Sequence, residues 1–116
     1  MKDFKGKTAV ITGGASGIGR AMGELFLSKG MNVVLADIEQ SALDNTVTEL
    51  KANGGNCIGV VTDVSKAEAV QALADAAIAE FGAIHIACNN AGVFTGGLLW
   101  EESLADYQWL MDVNVW

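Results

Sequence analysis

The stretch Lys7 to Arg20, KTAVITGGASGIGR, constrains this 116-residue chain more than any other. It opens on an apolar run, Thr8 to Thr12, passes through a glycine-rich turn and continues as the start of a helix. Gly13, Gly17 and Gly19 stand where a chain leaving a strand bends sharply and then lets another molecule touch its backbone. Without a Cβ, such positions reach φ > 0 at no steric cost and leave room for a pyrophosphate. The helix that follows offers unpaired N–H groups and the positive end of its dipole to that anion. Three glycines alone describe a tight turn. The strand before them and the helix after them make a dinucleotide cradle the better reading.

A second strand, Asn32 to Asp37 (NVVLAD), ends in a carboxylate. In a strand–helix–strand unit, an acid at the tip of the second strand reaches the ribose hydroxyls of a bound nucleotide. Asp37 could instead cap the next helix, as aspartate often does. Its distance of about twenty residues from the glycine turn favours the ribose role. A carboxylate there also repels a 2′-phosphate. Ile38 follows it and Ser16 sits inside the turn, so neither place offers a cation, and Arg20 is expected to face solvent. The expectation is NAD rather than NADP.

The remaining elements follow from apolar spacing. Ile18, Met22, Leu25 and Phe26 predict one face of the first helix, with Gly30 as its C-cap. Leu43, Val47 and Leu50 give the second helix its apolar face, and Asn53-Gly54-Gly55 breaks it. Cys57 to Thr62 reads as a third strand ending at Asp63-Val64, with Asp63 serving as a turn residue or a ligand contact. Ser65 to Glu68 has capping-box spacing before a helix that carries Val70, Leu73, Ala74, Ala77, Ile78 and Phe81 on one side. Gly82 closes that helix and Ile84 to Cys88 forms a fourth strand. His85, the only histidine, has no catalytic partner at a meaningful spacing and is expected to be structural. Asn89 and Asn90 can pin neighbouring loops by side-chain hydrogen bonds, while Ala91 and Gly92 are small enough for a ribose to lie across them. A last helix is predicted from about Ser103, with Leu104, Tyr107, Met111 and Val115 as its stripe and Trp100, Trp109 and Trp116 adding apolar surface.

Four strands alternating with helices call for an α/β fold, a doubly wound parallel sheet with helices on both faces. Right-handed crossovers give the strand order 3-2-1-4. Ligands bind outside the carboxyl ends of such strands. The glycine turn, Asp37, Asp63 and Asn89 to Gly92 all fall there. A net charge of −7 argues against a nucleic-acid or anionic-membrane partner. No apolar run is long enough to span a bilayer, and the N-terminus lacks the apolar core of a signal peptide. Cys57 and Cys88 form no metal-like pair, so no metal is expected and two reduced thiols in the cytoplasm are.

Thr12-Gly13-Gly14-Ala15-Ser16-Gly17-Ile18-Gly19 resembles the TGxxxGIG loop of the short-chain dehydrogenases/reductases, and Asn89-Asn90-Ala91-Gly92 is similar to their NNAG motif. The resemblance covers nearly the whole chain. It implies cofactor contacts from Gly13, Ser16, Gly17, Ile18, Gly19, Asp37, Asn90, Ala91 and Gly92, with Asp63 and Val64 holding the adenine. It matches Asn114 to the helix asparagine of the family's active site, although an ordinary mid-helix amide reads the same way. It also implies hydride transfer between a nicotinamide and a small alcohol or ketone, in a protein that commonly forms homo-oligomers. The family's proton donor is a tyrosine with a lysine four residues later. Here the sole tyrosine, Tyr107, is followed at that spacing by Met111.

The catalytic strand and helix are therefore expected beyond Trp116. Residues 1–116 would be one incomplete cofactor-binding domain, inactive alone, with strand four as an open edge and a tendency to self-associate. The alternatives are a non-catalytic dinucleotide-binding module or sensor and, less favoured, a sugar-nucleotide-modifying relative.

Overall fold

The computed structural model of the chain describes residues 4–15, 17–89 and 110–111. Its elements run β1 (Thr8–Thr12), α1 (Gly17–Ser28), β2 (Asn32–Asp37), α2 (Gln40–Ala52), β3 (Cys57–Val61), α3 (Ala67–Phe81), β4 (Ile86–Asn89) and β5 (Leu110–Met111). The strands form one parallel sheet in the order β3-β2-β1-β4-β5. The predicted order 3-2-1-4 is thus present, extended by one short strand.

Strand alternation divides the apolar residues between two layers. Val10, Val34, Ala36 and Ala87 point to one face and pack under Val70, Leu73, Ala74 and Ala77 of α3. Ala9, Ile11, Val33, Leu35, Ile86 and Cys88 point to the other, where Leu43 and Leu50 of α2 and Met22, Phe26 and Leu27 of α1 cover them. All five residues of β1 are buried, because that strand lies between two neighbours in the sheet and between two helical layers. Burial on this scale removes whole side chains from water, at about 1.5–3 kcal/mol for each of the larger aliphatic ones. It makes β1 the rigid base for whatever its carboxyl end carries.

Four expectations are corrected. The buried side of α1 is not the Ile18–Met22–Leu25–Phe26 stripe: Ile18 and Leu25 are 53% and 52% exposed, while Gly19 and Gly23 are buried. The reason is close approach. A Cβ on Gly23 would sit 3.2 Å from Leu35 Cδ2, so the helix turns its smallest residues to the sheet and lies tight against it. The capping box does not form either. α3 begins at Ala67 with Lys66 as a N-cap lacking a side-chain bond, because Ser65 Oγ donates instead to Asp63 Oδ1 at 2.6 Å.

The fourth strand starts at Ile86, two residues later than predicted, since His85 uses its ring to bond back to β1. Finally, Leu110–Met111 is extended, not helical. It pairs with Ile86–Ala87, so β4 is not the open edge. An unpaired strand edge is a row of free donors and acceptors, and this two-residue strand satisfies part of it. The other residues assigned to the last helix, the three tryptophans and Tyr107 among them, lie outside the described residues.

The second and third helices otherwise present the predicted faces, with Thr46 joining Leu43 and Leu50 in the core. Gly82 ends α3 in the left-handed conformation, its N–H donating to Ile78 O.

Candidate dinucleotide site

The carboxyl ends of β1, β2 and β3 meet in a crevice. Gly13 leaves β1 with φ of 66°, a conformation that a side chain would resist. The turn then folds toward β2: Gly14 N donates to Ala36 O at 2.9 Å, and Ala15 N donates to Asp37 Oδ2 at 3.0 Å. The turn closes on itself as well. A Cβ on Gly19 would collide with Gly13 O, so the first turn of α1 can sit this close to the strand only with glycine there. Gly17 differs. Among the described residues, a Cβ built on it meets no atom within 4 Å, so packing against them does not account for a glycine at that place. The open space in front of it is what an approaching anion would use.

Asp37 is fixed from two sides. Oδ2 takes the Ala15 N–H, and Oδ1 takes the N–H of Glu39 at 3.1 Å. The carboxylate is therefore turned to the glycine turn. It does not cap α2, whose N-cap is Glu39. Thr62 N donates to Asp37 O at 2.9 Å, which ties the end of β3 to the same residue.

Between these strand ends lies a pocket of about 150 Å³, lined by Gly13, Ala36, Asp37, Ile38, Thr62, Asp63 and Val64. None of the seven lining residues is basic. Ile38 is 61% exposed beside the carboxylate, a bare apolar surface where an adenine face could rest. Arg20 is committed elsewhere, to Glu24 at 3.0 Å and Glu49 at 2.6 Å, which raises its pKa further. Asp63 does serve as a turn residue. Its Oδ1 accepts from Ser65 Oγ at 2.6 Å and Ser65 N at 3.0 Å, and these bonds hold its pKa below the ordinary aspartate value. The same residue lines the pocket, so the turn and ligand readings are compatible.

The structure thus brings Gly13, Gly17, Ile18, Gly19, Asp37, Asp63 and Val64 to one end of the sheet. Asn89 arrives there too, opposite Thr12 in the β1–β4 register. Ser16, Asn90, Ala91, Gly92 and Asn114 lie outside the described residues. Three contributors escaped sequence reading. The Ala15 N–H anchors Asp37, Thr62 closes the pocket floor, and Ile38 supplies an apolar wall. An exposed isoleucine directly after a strand-end acid was the available signal for the last. Among the described residues, no group of three or more His, Cys, Asp or Glu could hold a metal. No helix among them is long and apolar enough to cross a membrane.

Comparison with known proteins agrees with this geometry. The family model described as short chain dehydrogenase matches residues 7–116. Glucose 1-dehydrogenase 2 of Bacillus subtilis (strain 168) is 44% identical over 117 residues, covering 98% of this chain and 45% of that protein. The 2,5-dichloro-2,5-cyclohexadiene-1,4-diol dehydrogenase of Sphingobium indicum is 42% identical over 116 residues, covering 99% of this chain and 45% of its own length. Among solved structures, a short chain dehydrogenase/reductase from Burkholderia phymatum in complex with NAD superposes with a TM-score of 0.77 at 56% identity. That match covers 80% of this chain and 33% of the other. The chain therefore spans less than half the length of these relatives. The glycine turn after β1, the acid at the end of β2 bonded to it and a family match over residues 7–116 converge: the chain belongs to the short chain dehydrogenase family.

Proposed function

We propose that this chain supplies the cofactor-holding half of an NAD-dependent oxidoreductase, which moves a hydride between nicotinamide and the alcohol or carbonyl carbon of a small molecule. The observation that carries the reading is the Asp37 carboxylate, held at the glycine turn by the Ala15 N–H and facing a pocket with no basic lining residue. The dehydrogenase names of the relatives and the NAD bound to the Burkholderia neighbour support it.

A bound nicotinamide dinucleotide supplies the hydride acceptor or donor. The chain's residues bind and orient it. Gly13, Ser16, Gly17, Ile18 and Gly19 receive the diphosphate with backbone N–H groups and the α1 dipole. Asp37 accepts from the ribose hydroxyls next to the adenine. Asp63, fixed by Ser65, and the Val64 backbone N–H address the adenine edge. Asn90, Ala91 and Gly92 border the second ribose, and Asn114 belongs with the proton-handling group. A 2′-phosphate in place of the ribose hydroxyl would set a dianion against Asp37 with no cation to offset it, which disfavours NADP.

The working protein, on this reading, is a cytoplasmic homo-oligomer in which residues 1–116 form one part of the dinucleotide domain. The buried cysteines Cys57 and Cys88, neither in a disulfide, suit a reducing compartment. Fluorescence titration of the intact protein with NADH and NADPH, followed by a turnover assay on alcohols and ketones, tests the proposal. NADH binding tighter by about tenfold or more, with turnover, is expected. Equal affinities would remove the role given to Asp37. Tight NADH binding without turnover on any alcohol or ketone would favour a non-catalytic module.

A further inference from the structure

The opposite, amino end of the sheet carries a polar chain that the nucleotide reading does not use. Asn56 Nδ2 donates to Asn32 Oδ1 at 2.6 Å, and Asn32 Nδ2 donates to Thr8 Oγ1 at 3.4 Å and to Gly6 O at 3.3 Å. Thr8 N then donates to His85 Nδ1 at 3.0 Å, while His85 N returns a bond to Thr8 O at 2.9 Å. These bonds run from the start of β3 across β2 and β1 to the residue before β4. Thr8 is fully buried, so its N–H has no water to fall back on.

The last link differs from the others in kind. An imidazole nitrogen accepts a hydrogen bond only while it carries no proton, so the contact fixes the ring as the neutral tautomer with its hydrogen on Nε2. Protonation at Nδ1 would place an N–H against the Thr8 N–H and leave a buried donor unpaired. We propose that His85 is a proton-sensitive latch between β1 and β4, which closes the amino end of the sheet when neutral and opens it when protonated.

The surroundings favour the closed form. Burial lowers the ring's pKa, and the positive charge of Lys7, immediately before β1, lowers it further. The described residues of β1, β4 and the connection Gly82–His85 contain no carboxylate that would stabilise an imidazolium, and β5 contributes only Leu110 and Met111. Glu80, in the last turn of α3, is exposed, and the ion pairs among the described residues, Arg20–Glu24 and Arg20–Glu49, do not include His85. The folded ring therefore binds protons less readily than the unfolded one. The latch's stabilisation is complete above the unfolded value of about 6.5 and is lost as pH falls through the lower folded value.

Nitrogen-detected NMR titration of the intact protein, with urea unfolding at about pH 7.5 and about pH 5.5, tests this. The His85 ring should show an Nε2–H tautomer and titrate below the usual histidine range, with the Thr8 amide shift following the same curve. Between these two pH values the unfolding constant should rise, by at most about tenfold, since only about one unit of the range lies below the unfolded value. His85→Asn keeps an acceptor that does not titrate, so it should remove this pH-dependent part. A ring that titrates at or above the usual value, a Thr8 amide indifferent to it, or a pH dependence retained in H85N would each overturn the proposal. Should H85N not fold, the two wild-type titration curves decide alone.

Discussion

The two ends of one parallel sheet are finished in opposite ways. At the amino end, Asn56, Asn32, Thr8 and His85 spend their polar groups on each other and knit four segments together. At the carboxyl end, the bonds from Ala15 and Glu39 position Asp37 without covering it, Gly17 faces open space, and Ile38 is left exposed. The strands between are the same strands. One end is closed to hold the fold; the other, on the proposed reading, receives the dinucleotide, and the difference lies in which polar groups are left with bonding capacity.

Substitutions at the two ends should therefore separate stability from binding. The largest effect is expected at Gly19, where even an alanine drives a Cβ into Gly13 O. G19A should cost about 1–3 kcal/mol in urea unfolding and abolish measurable NADH binding, because the turn cannot close. Gly17→Ala is its control. With nothing near the added methyl, stability should change by no more than about 0.5 kcal/mol, while NADH affinity still falls by about tenfold. Equal losses of stability in the two variants would mean that Gly17 is structural and the cradle reading fails there.

Next comes Asp37→Asn. A charged acceptor for two hydroxyls becomes a neutral one, so NADH should weaken by about 10–100-fold and the preference over NADPH should shrink, read by fluorescence titration. At the amino end, His85→Phe orphans the buried Thr8 N–H. It should destabilise the fold by about 1–3 kcal/mol and leave NADH affinity nearly unchanged. If H85F weakens binding as much as D37N does, the two ends are not separable. The smallest effect is expected for Arg20→Ala. Its ion pairs to Glu24 and Glu49 lie on the exposed side of α1 and α2, so neither stability nor the NADH/NADPH ratio should move appreciably.

Much of the carboxyl end was legible in the sequence, because it is built from consecutive residues. Strand, glycine turn and helix follow one another in fourteen positions, Lys7 to Arg20, and Asp37 lies at the end of the next apolar run. The amino-end chain was not legible. It joins residues 24 and 77 positions apart, and an isolated histidine in IHIAC gives no hint that its ring accepts a bond from Thr8. The α1 face was misread for a related reason: apolar spacing points to Ile18 and Leu25, whereas tight packing of Gly19 on the Gly13–Gly14 backbone and of Gly23 on Leu35 selects the small side. Spacing records hydrophobicity and says little about distance of approach. The strand at Leu110–Met111 escaped because two residues carry no period, and only the neighbouring β4 makes them extended.

The central claim is that the carboxylate of Asp37 grips the ribose of a dinucleotide lying over the glycine turn. A crystal structure of the intact protein grown with NAD measures this directly. The account predicts both hydroxyls of the adenosine ribose within about 3 Å of the Asp37 carboxylate, with the diphosphate over Gly17. A dinucleotide bound elsewhere, or a ribose turned away from Asp37, would contradict it.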